Sequence, residues 1–98
     1  MITLNTWAAD CLHLMQRRFK IPKNNPLQCY SLAIMREWIK IDKSVKAIND
    51  AETRLDQYSE KSMLCERLAD LIVYCVATMK QVSDSEDVEI LIKKRLGK

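Results

Sequence analysis

The feature that most constrains the fold of this 98-residue chain is a long series of apolar side chains separated by three or four residues. An α-helix has 3.6 residues per turn, so this spacing keeps the series on one side of a helix, whereas a β-strand would need alternation at every second residue. The series is Leu27, Tyr30, Ile34, Trp38, Ile41, Val45 and Ile48. It predicts one long helix that begins at Pro26, with Asn25 as its cap, and ends near Asp50.

The segment before this helix has the pattern of a shorter one. We expect that helix from about Thr6 to Phe19, with Asn5 or Thr6 as the N-cap, because short polar side chains satisfy the first backbone amides of a helix. Two prolines and two asparagines between residues 20 and 26 mark the connection. The whole chain has one glycine and two prolines, which leaves little material for β-hairpins and favours helices.

Two more helices are expected in the second half of the chain. The third runs from near Ser59 or Glu60 to about Gln81, and the polar residues before it form either a loop or the fraying end of the second helix. The fourth runs over Val88–Leu96 and ends in basic residues, which the negative end of a helix favours. The prediction is therefore an all-α bundle of four helices, in which the first and fourth are short and the two between them are long.

Length and charge limit the class of protein. The chain is long enough for one core, so a single domain over residues 1–98 is expected. Its net charge of +3 is mild, and no nucleic-acid partner is expected. The N-terminal residues lack a signal-peptide pattern, and Leu68–Val82 is too short, and too interrupted by Asp70 and Lys80, to span a bilayer. We expect a cytoplasmic protein without a membrane partner.

The cysteines, the histidine and the aromatic residues offer little chemistry. The cysteines form no Cys-x-x-Cys pair, so we expect reduced thiols buried among apolar neighbours. They are Cys11, Cys29, Cys65 and Cys75. His13 is the only histidine and is expected to pack on the first helix. Trp38 and Tyr74 lie in apolar patterns, which favours core packing over stacking on a nucleotide base.

Two acidic residues lie in apolar parts of the sequence, where burial of a charged carboxylate would cost free energy. Asp70 is the only charged residue between Leu68 and Met79, and Glu37 lies on the apolar side of the second helix. A buried carboxylate needs a cation, a metal or a raised pKa. Converging carboxylates on facing helices are a pattern that helical bundles use for divalent cations, but neighbouring arginines are an equally good alternative.

The sequence around these acids resembles the MazG-like superfamily of all-α nucleoside triphosphate pyrophosphohydrolases. The best local match is Cys65-Glu-Arg-Leu-Ala-Asp-Leu-Ile-Val-Tyr74, which looks like the family's third helix with its Glu-x-x-Asp motif, and Arg36-Glu-Trp-Ile-Lys40 stands where its Glu-Glu-x-x-Glu motif belongs. The resemblance implies a four-helix MazG-like bundle. It also implies carboxylates that hold Mg²⁺ against a nucleoside triphosphate while water cleaves between the α- and β-phosphates.

The departures from these motifs concern charge. Glu37 and Asp70 keep their acids, whereas Arg36, Lys40 and Arg67 stand where the family has carboxylates. Like charges about 4 Å apart repel by about 4 kcal/mol at an effective dielectric constant of 20, so cations at these positions repel Mg²⁺. Glu37 and Asp70 are therefore candidate metal ligands only if the protein retains some hydrolytic activity. The expected site is therefore degenerate, with no confident catalytic residue or cofactor.

Two interpretations of the charges stay open. In the first, the charges form a purely structural network in which the acids Glu37 and Asp70 pair with the cations Arg36, Lys40 and Arg67. The spacing of Arg67 and Asp70 suits a direct contact. In the second, the surplus cations bind a phosphate without a metal. In the family, basic residues near the end of the chain contact the nucleotide. Lys93 and Lys94 are the corresponding phosphate contacts here, unless they only cap the fourth helix.

Three functions follow. The first is a catalytically degenerate MazG-like module that binds a nucleotide, a phosphate or a protein, as a homodimer, a higher homo-oligomer or with a partner. The second is a divergent Mg²⁺-dependent pyrophosphohydrolase that recruits acids such as Asp42, Glu60 or Glu66. The third is a small helical phage or mobile-element factor that binds a host protein.

Overall fold

The computed structural model describes residues 3–21, 26–83 and 87–97, and within these ranges it contains helices and no strand. The helices are α1 (Leu4–Phe19), α2 (Pro26–Asp50), α3 (Arg54–Val82) and α4 (Val88–Arg95). The first and last are short and the two between them are long. The predicted all-α class and the order of helix lengths are confirmed. The predicted cap Asn25 lies outside the described residues.

The start of α1 differs from the prediction. The N-cap is Thr3, whose Oγ1 accepts a hydrogen bond from the backbone amide of Thr6 at 3.3 Å. Asn5 has another role, because its Oδ1 accepts from the amide of Glu89 at 3.3 Å and so ties α1 to the first turn of α4. The helix ends before Lys20, which has a positive φ of 46°, a conformation that commonly closes a helix.

The start of α3 was predicted too late. Thr53 caps the helix by accepting from the amide of Asp56 at 3.1 Å, and the negative charge of Asp56 favours the positive end of the helix. The polar residues from Arg54 to Ser59, expected to form either a loop or the fraying end of α2, are therefore the first turns of α3. Because α2 ends at Asp50 as predicted, only residues 51–53 connect two long helices.

The start of α4 agrees with the prediction. Asp87 caps this helix, and its Oδ1 accepts from the amide of Ile90 at 3.1 Å. A hydrogen bond from the Asn5 side chain, followed by that from Ile90, lowers the pKa of Asp87 below its ordinary value of 3.8. This cap therefore contributes its full stabilisation above the ordinary pKa and loses it as the pH falls through the lowered one.

The helices pack around α3. Helices α1 and α2 both contact it extensively, and α4 contacts α1 and α3. The main core consists of Met15, Tyr30, Ala33, Tyr74 and Ala77, and a smaller one of Ala8, Val76 and Val88. Both cores lie where α3 meets its neighbours. No helix within the described ranges combines the length and apolarity needed to cross a membrane.

The molecule is extended for its size. It measures 49 × 35 × 23 Å, and its radius of gyration is 15.8 Å, against about 13 Å for a compact domain of about 100 residues. A thin arrangement of helices around α3 leaves part of each helix without a neighbour. The core of a single chain is correspondingly small.

We expect Met15→Ala to lower the free energy of unfolding by about 2–5 kcal/mol, because Met15 is fully buried in the main core and its removal leaves a cavity. Met35→Ala is the matched control, since Met35 is 55% exposed on α2 and should cost no more than about 0.5 kcal/mol. Urea denaturation followed by circular dichroism measures both. Equal losses in the two variants would contradict the described core.

Candidate functional site

Glu37 lies on the core side of α2, as its spacing indicates. Its side chain is 4% exposed, and its Oε2 is 3.8 Å from Nζ of Lys40, whose side chain is 58% exposed. One helical turn on either side of Glu37, α2 buries Ala33 and Ile41, so the helix that forms the core also draws this carboxylate inward. Lys40 reaches the buried acid from the solvent side.

Asp70 is not enclosed. Its side chain is 48% exposed, and its Oδ1 lies 3.9 Å from Nη1 of Arg18. The expectation of a deeply buried acid is wrong, because an apolar surrounding in the sequence becomes a buried surrounding only where neighbouring helices cover it. Neighbouring apolar residues of α3 such as Leu68 and Ile72 are exposed as well.

Arg18 of α1 is the cation that sequence reasoning missed. Its Nη1 donates a hydrogen bond of 2.8 Å to the hydroxyl of Tyr74, and its guanidinium lies 6.0 Å from the centre of the Tyr74 ring. The hydrogen bond to Tyr74 raises the pKa of Arg18 most, and the negative charges of Asp70 and Glu37 raise it further. Arg18 therefore pairs with Asp70, while the more distant Glu37 has the weakest of these effects on it.

A sequence signal for Arg18 did exist. Cys11, Met15 and Arg18 are spaced by four and three residues, which places Arg18 on the side of α1 that faces the core. The spacing alone does not show which carboxylate the arginine meets. That depends on how α1 crosses α3, which brings Arg18 to Asp70 and Tyr74.

Tyr74 organises the contacts of Arg18, and we use the name Arg18 cluster for Arg18, Asp70 and Tyr74 together with the more distant charge of Glu37. The residue is 5% exposed, so the predicted core packing of Tyr74 is confirmed. Its ring meets that of Phe19 edge to face, with centres 5.4 Å apart and planes at 75°. The ring thus holds the end of α1 against α3, and the hydroxyl orients Arg18.

The cations predicted to replace metal ligands behave differently from one another. Lys40 approaches Glu37, whereas Arg36 is exposed and makes no ion pair within the described part of the chain. Arg67 is half-buried, and its Nη2 lies 3.5 Å from the sulfur of Met63, one turn back along α3. The predicted contact between Arg67 and Asp70 does not form, because Asp70 turns toward α1 instead.

The buried Nε of Arg67 has no hydrogen-bond partner among residues 3–21, 26–83 and 87–97. A buried donor without a partner is costly, so the neighbourhood of Arg67 is incompletely satisfied within one chain. This nitrogen lies on the half of α3 that precedes the Arg18 cluster.

Other predicted residues are also exposed. Trp38 is 62% exposed, so its predicted burial in the core is wrong; α2 packs mainly on α3, and Trp38 points away from that contact. His13 is exposed on α1 beside Asp10 and Arg17 rather than packed.

The cysteines divide into two groups. Cys65 is exposed, which contradicts its predicted burial, while Cys11, Cys29 and Cys75 are half-buried, and all four are free thiols. Burial raises the pKa of Cys11, with a smaller effect from the charge of Asp10, and burial raises the pKa of Cys75. Raised values keep both thiols protonated at neutral pH, which disfavours nucleophilic chemistry.

The residues present do not fit a magnesium site. Within the described ranges, no group of three or more acidic, histidine or cysteine side chains lies close enough to hold a metal ion. Asp70 instead pairs with Arg18, and Glu37 pairs with Lys40. A divalent cation would meet two positive groups at the place where it needs carboxylates.

The basic end of α4 is not part of this site. Lys93 pairs with Glu89 of its own helix at 3.8 Å, and Lys94 is exposed. The first turn of α4 is tied to Asn5 at the start of α1, whereas Arg18 lies at the end of α1. Within the described part of the chain, neither Lys93 nor Lys94 therefore forms a hydrogen bond or ion pair with the Arg18 cluster.

We expect Asp70→Asn to lower the free energy of unfolding by less than about 1 kcal/mol, because the ion pair with Arg18 is long and half-exposed. A double-mutant cycle with Arg18→Gln, measured by chemical denaturation, isolates the pair from the other contacts of Arg18. A coupling of about 3–5 kcal/mol, the range for a buried pair, would contradict the exposure of Asp70.

The chain matches no protein-family model, no curated protein and no solved structure. The MazG-like resemblance therefore depends on the two short motifs around Glu37 and Asp70. Its implications for activity and partners stay predictions.

Proposed function

We propose that this protein is a MazG-like helical bundle without hydrolytic activity that acts as a protein-interaction module, and that its first partner is a second copy of itself. The observation that carries the proposal is the large apolar surface that one chain leaves exposed. The composition of the Arg18 cluster supports the loss of hydrolysis.

The exposed area supports association. The chain has an accessible surface of 7603 Å², whereas a compact monomer of 11.4 kDa is expected to have about 5,800 Å². Much of the exposed part is apolar, with Trp7 at 55%, Trp38 at 62%, Ile72 at 63% and Leu55 at 77% exposed. Large apolar surfaces of this kind mark interaction sites in soluble proteins.

The charges of the Arg18 cluster support the absence of metal-dependent hydrolysis. Asp70 lies 3.9 Å from Arg18 and Glu37 lies 3.8 Å from Lys40, so each acid that would bind a metal already has a cation beside it. The same pairing limits phosphate binding, because Arg18 and Lys40 each lie beside a carboxylate. A protein partner therefore fits this chain better than a nucleotide does.

Incubation with a panel of nucleoside triphosphates and Mg²⁺ or Mn²⁺ should release no pyrophosphate above a protein-free blank, because residues 3–21, 26–83 and 87–97 contain no cluster of carboxylates able to hold the metal. A pyrophosphohydrolase of known activity serves as the positive control. Pyrophosphate release in proportion to protein concentration would overturn the proposal. It would favour the divergent enzyme that recruits other acids.

Size-exclusion chromatography with multi-angle light scattering should give a mass of about twice 11.4 kDa, because association covers the apolar surface that the monomer exposes. Dilution should shift the equilibrium toward the monomer if the dimer is reversible. A strict monomer at every micromolar concentration would contradict self-association.

A further inference from the structure

We propose that two copies of this chain associate through one strip of α3 and that the two α3 helices pack antiparallel, an inference that rests on the self-association proposed above. We call this strip the α3 seam. Its positions are Tyr58, Lys61, Cys65, Leu68, Ile72, Cys75, Met79 and Val82.

The spacing of the α3 seam is that of a coiled coil. Its positions alternate strictly by three and four residues along almost the whole of α3. The average period of 3.5 residues is the one that lets two helices interlock their side chains over many turns. Most contacts of α3 within its own chain use other residues, among them Tyr74 and Ala77, and Met79 is the seam position that also packs against the smaller core. Two apolar sides on one helix need two sets of neighbours.

The α3 seam is open along most of its length. Tyr58 is 74% exposed, Ile72 63% and Val82 62%, and Leu68 and Cys65 are also exposed. Toward the end of α3 the seam borders an apolar cavity of about 520 Å³, lined by Ile34, Cys75, Thr78, Met79, Val82 and Leu91. The cavity offers space for a side chain of another molecule.

A tryptophan flanks the α3 seam. Trp7 of α1 is 55% exposed and lines an apolar cavity together with Ile72 of the seam. An exposed tryptophan beside an apolar strip is typical of the residues that dominate binding at protein interfaces.

The chemistry of the α3 seam fits a second copy of the same chain. In a two-fold symmetric dimer the same surface meets itself, so it must be complementary to itself. The seam has no acid and one lysine, and an apolar strip meets its own copy without needing opposite charges. The excess surface of one chain, about 1,800 Å² over a compact monomer, is of the size that each subunit buries in an obligate dimer.

Lys61 favours the antiparallel orientation. In a parallel dimer in register, Lys61 would meet Lys61 of the second copy and the like charges would repel. In an antiparallel dimer centred between Leu68 and Ile72, Lys61 lies opposite Met79, and Cys65 lies opposite Cys75. In this arrangement the dipoles of the two helices also point in opposite directions, which favours their association.

Ile72→Glu should convert the dimer to a monomer in light scattering, because it puts a charge at the centre of the α3 seam. Met35→Glu is the matched control, since Met35 is also an exposed apolar residue but lies about 100° around α2 from Ile34, and this variant should stay dimeric. Circular dichroism establishes that both are folded. If Ile72→Glu does not fold, Ile72→Ala should weaken dimerisation by about tenfold.

The outcomes separate this inference from the proposed function. If the native protein is a dimer and the Ile72→Glu and Ile72→Ala variants dimerise as strongly as Met35→Glu, the α3 seam is not the interface. Self-association would then still stand. A native monomer would overturn both.

Cross-linking tests the orientation. In a Cys11→Ala, Cys29→Ala background, a short bismaleimide should join two copies through Cys65 and Cys75, and Cys65→Ser or Cys75→Ser should each abolish the covalent dimer. A covalent dimer that persists in either serine variant would overturn the antiparallel arrangement.

Discussion

The structure depends on the burial of α3, a helix whose apolar residues extend around most of its circumference between Leu68 and Met79. Such a helix is stable in water only where neighbours surround it. Helices α1 and α2 cover two sides and α4 contributes near the end, which accounts for the cores around Met15, Tyr74 and Val76. One side of α3 stays open. The extended shape and the proposed dimer are consequences of this incomplete cover.

The same arrangement explains the charges. At the point where α1 ends against α3, Arg18 reaches Tyr74 and Asp70, and Lys40 reaches the buried Glu37 from the solvent side. These side chains supply the positive charge that the MazG-like resemblance would assign to Mg²⁺. Unlike a metal ion, they offer no open coordination position for a substrate. In the proposed function the bundle therefore holds two acids in place without being able to use them for hydrolysis.

Much of the fold was predictable because local signals agree with one another. The three- and four-residue spacing from Leu27 to Ile48 defined α2, and Pro26 and Asp50 mark its ends. The start of α3 was missed because the segment before Ser59 is polar, and its cap, Thr53, is one of several residues able to form one. Similarly, Glu37 was placed on the core side by its position in the apolar stripe. The exposure of Asp70 was not predictable, because its apolar neighbours in the sequence are themselves uncovered.

The sequence alone determined the class of the fold, the extent of α2 and the side of that helix on which Glu37 lies, since each follows from helical periodicity within a single segment. Only the tertiary structure decided that Arg18 rather than Arg67 meets Asp70, and that Trp38 and Cys65 face solvent. Those features depend on the angle and position at which helices cross. The crossing angles and positions are determined jointly by residues far apart in the chain, so no local sequence pattern specifies them.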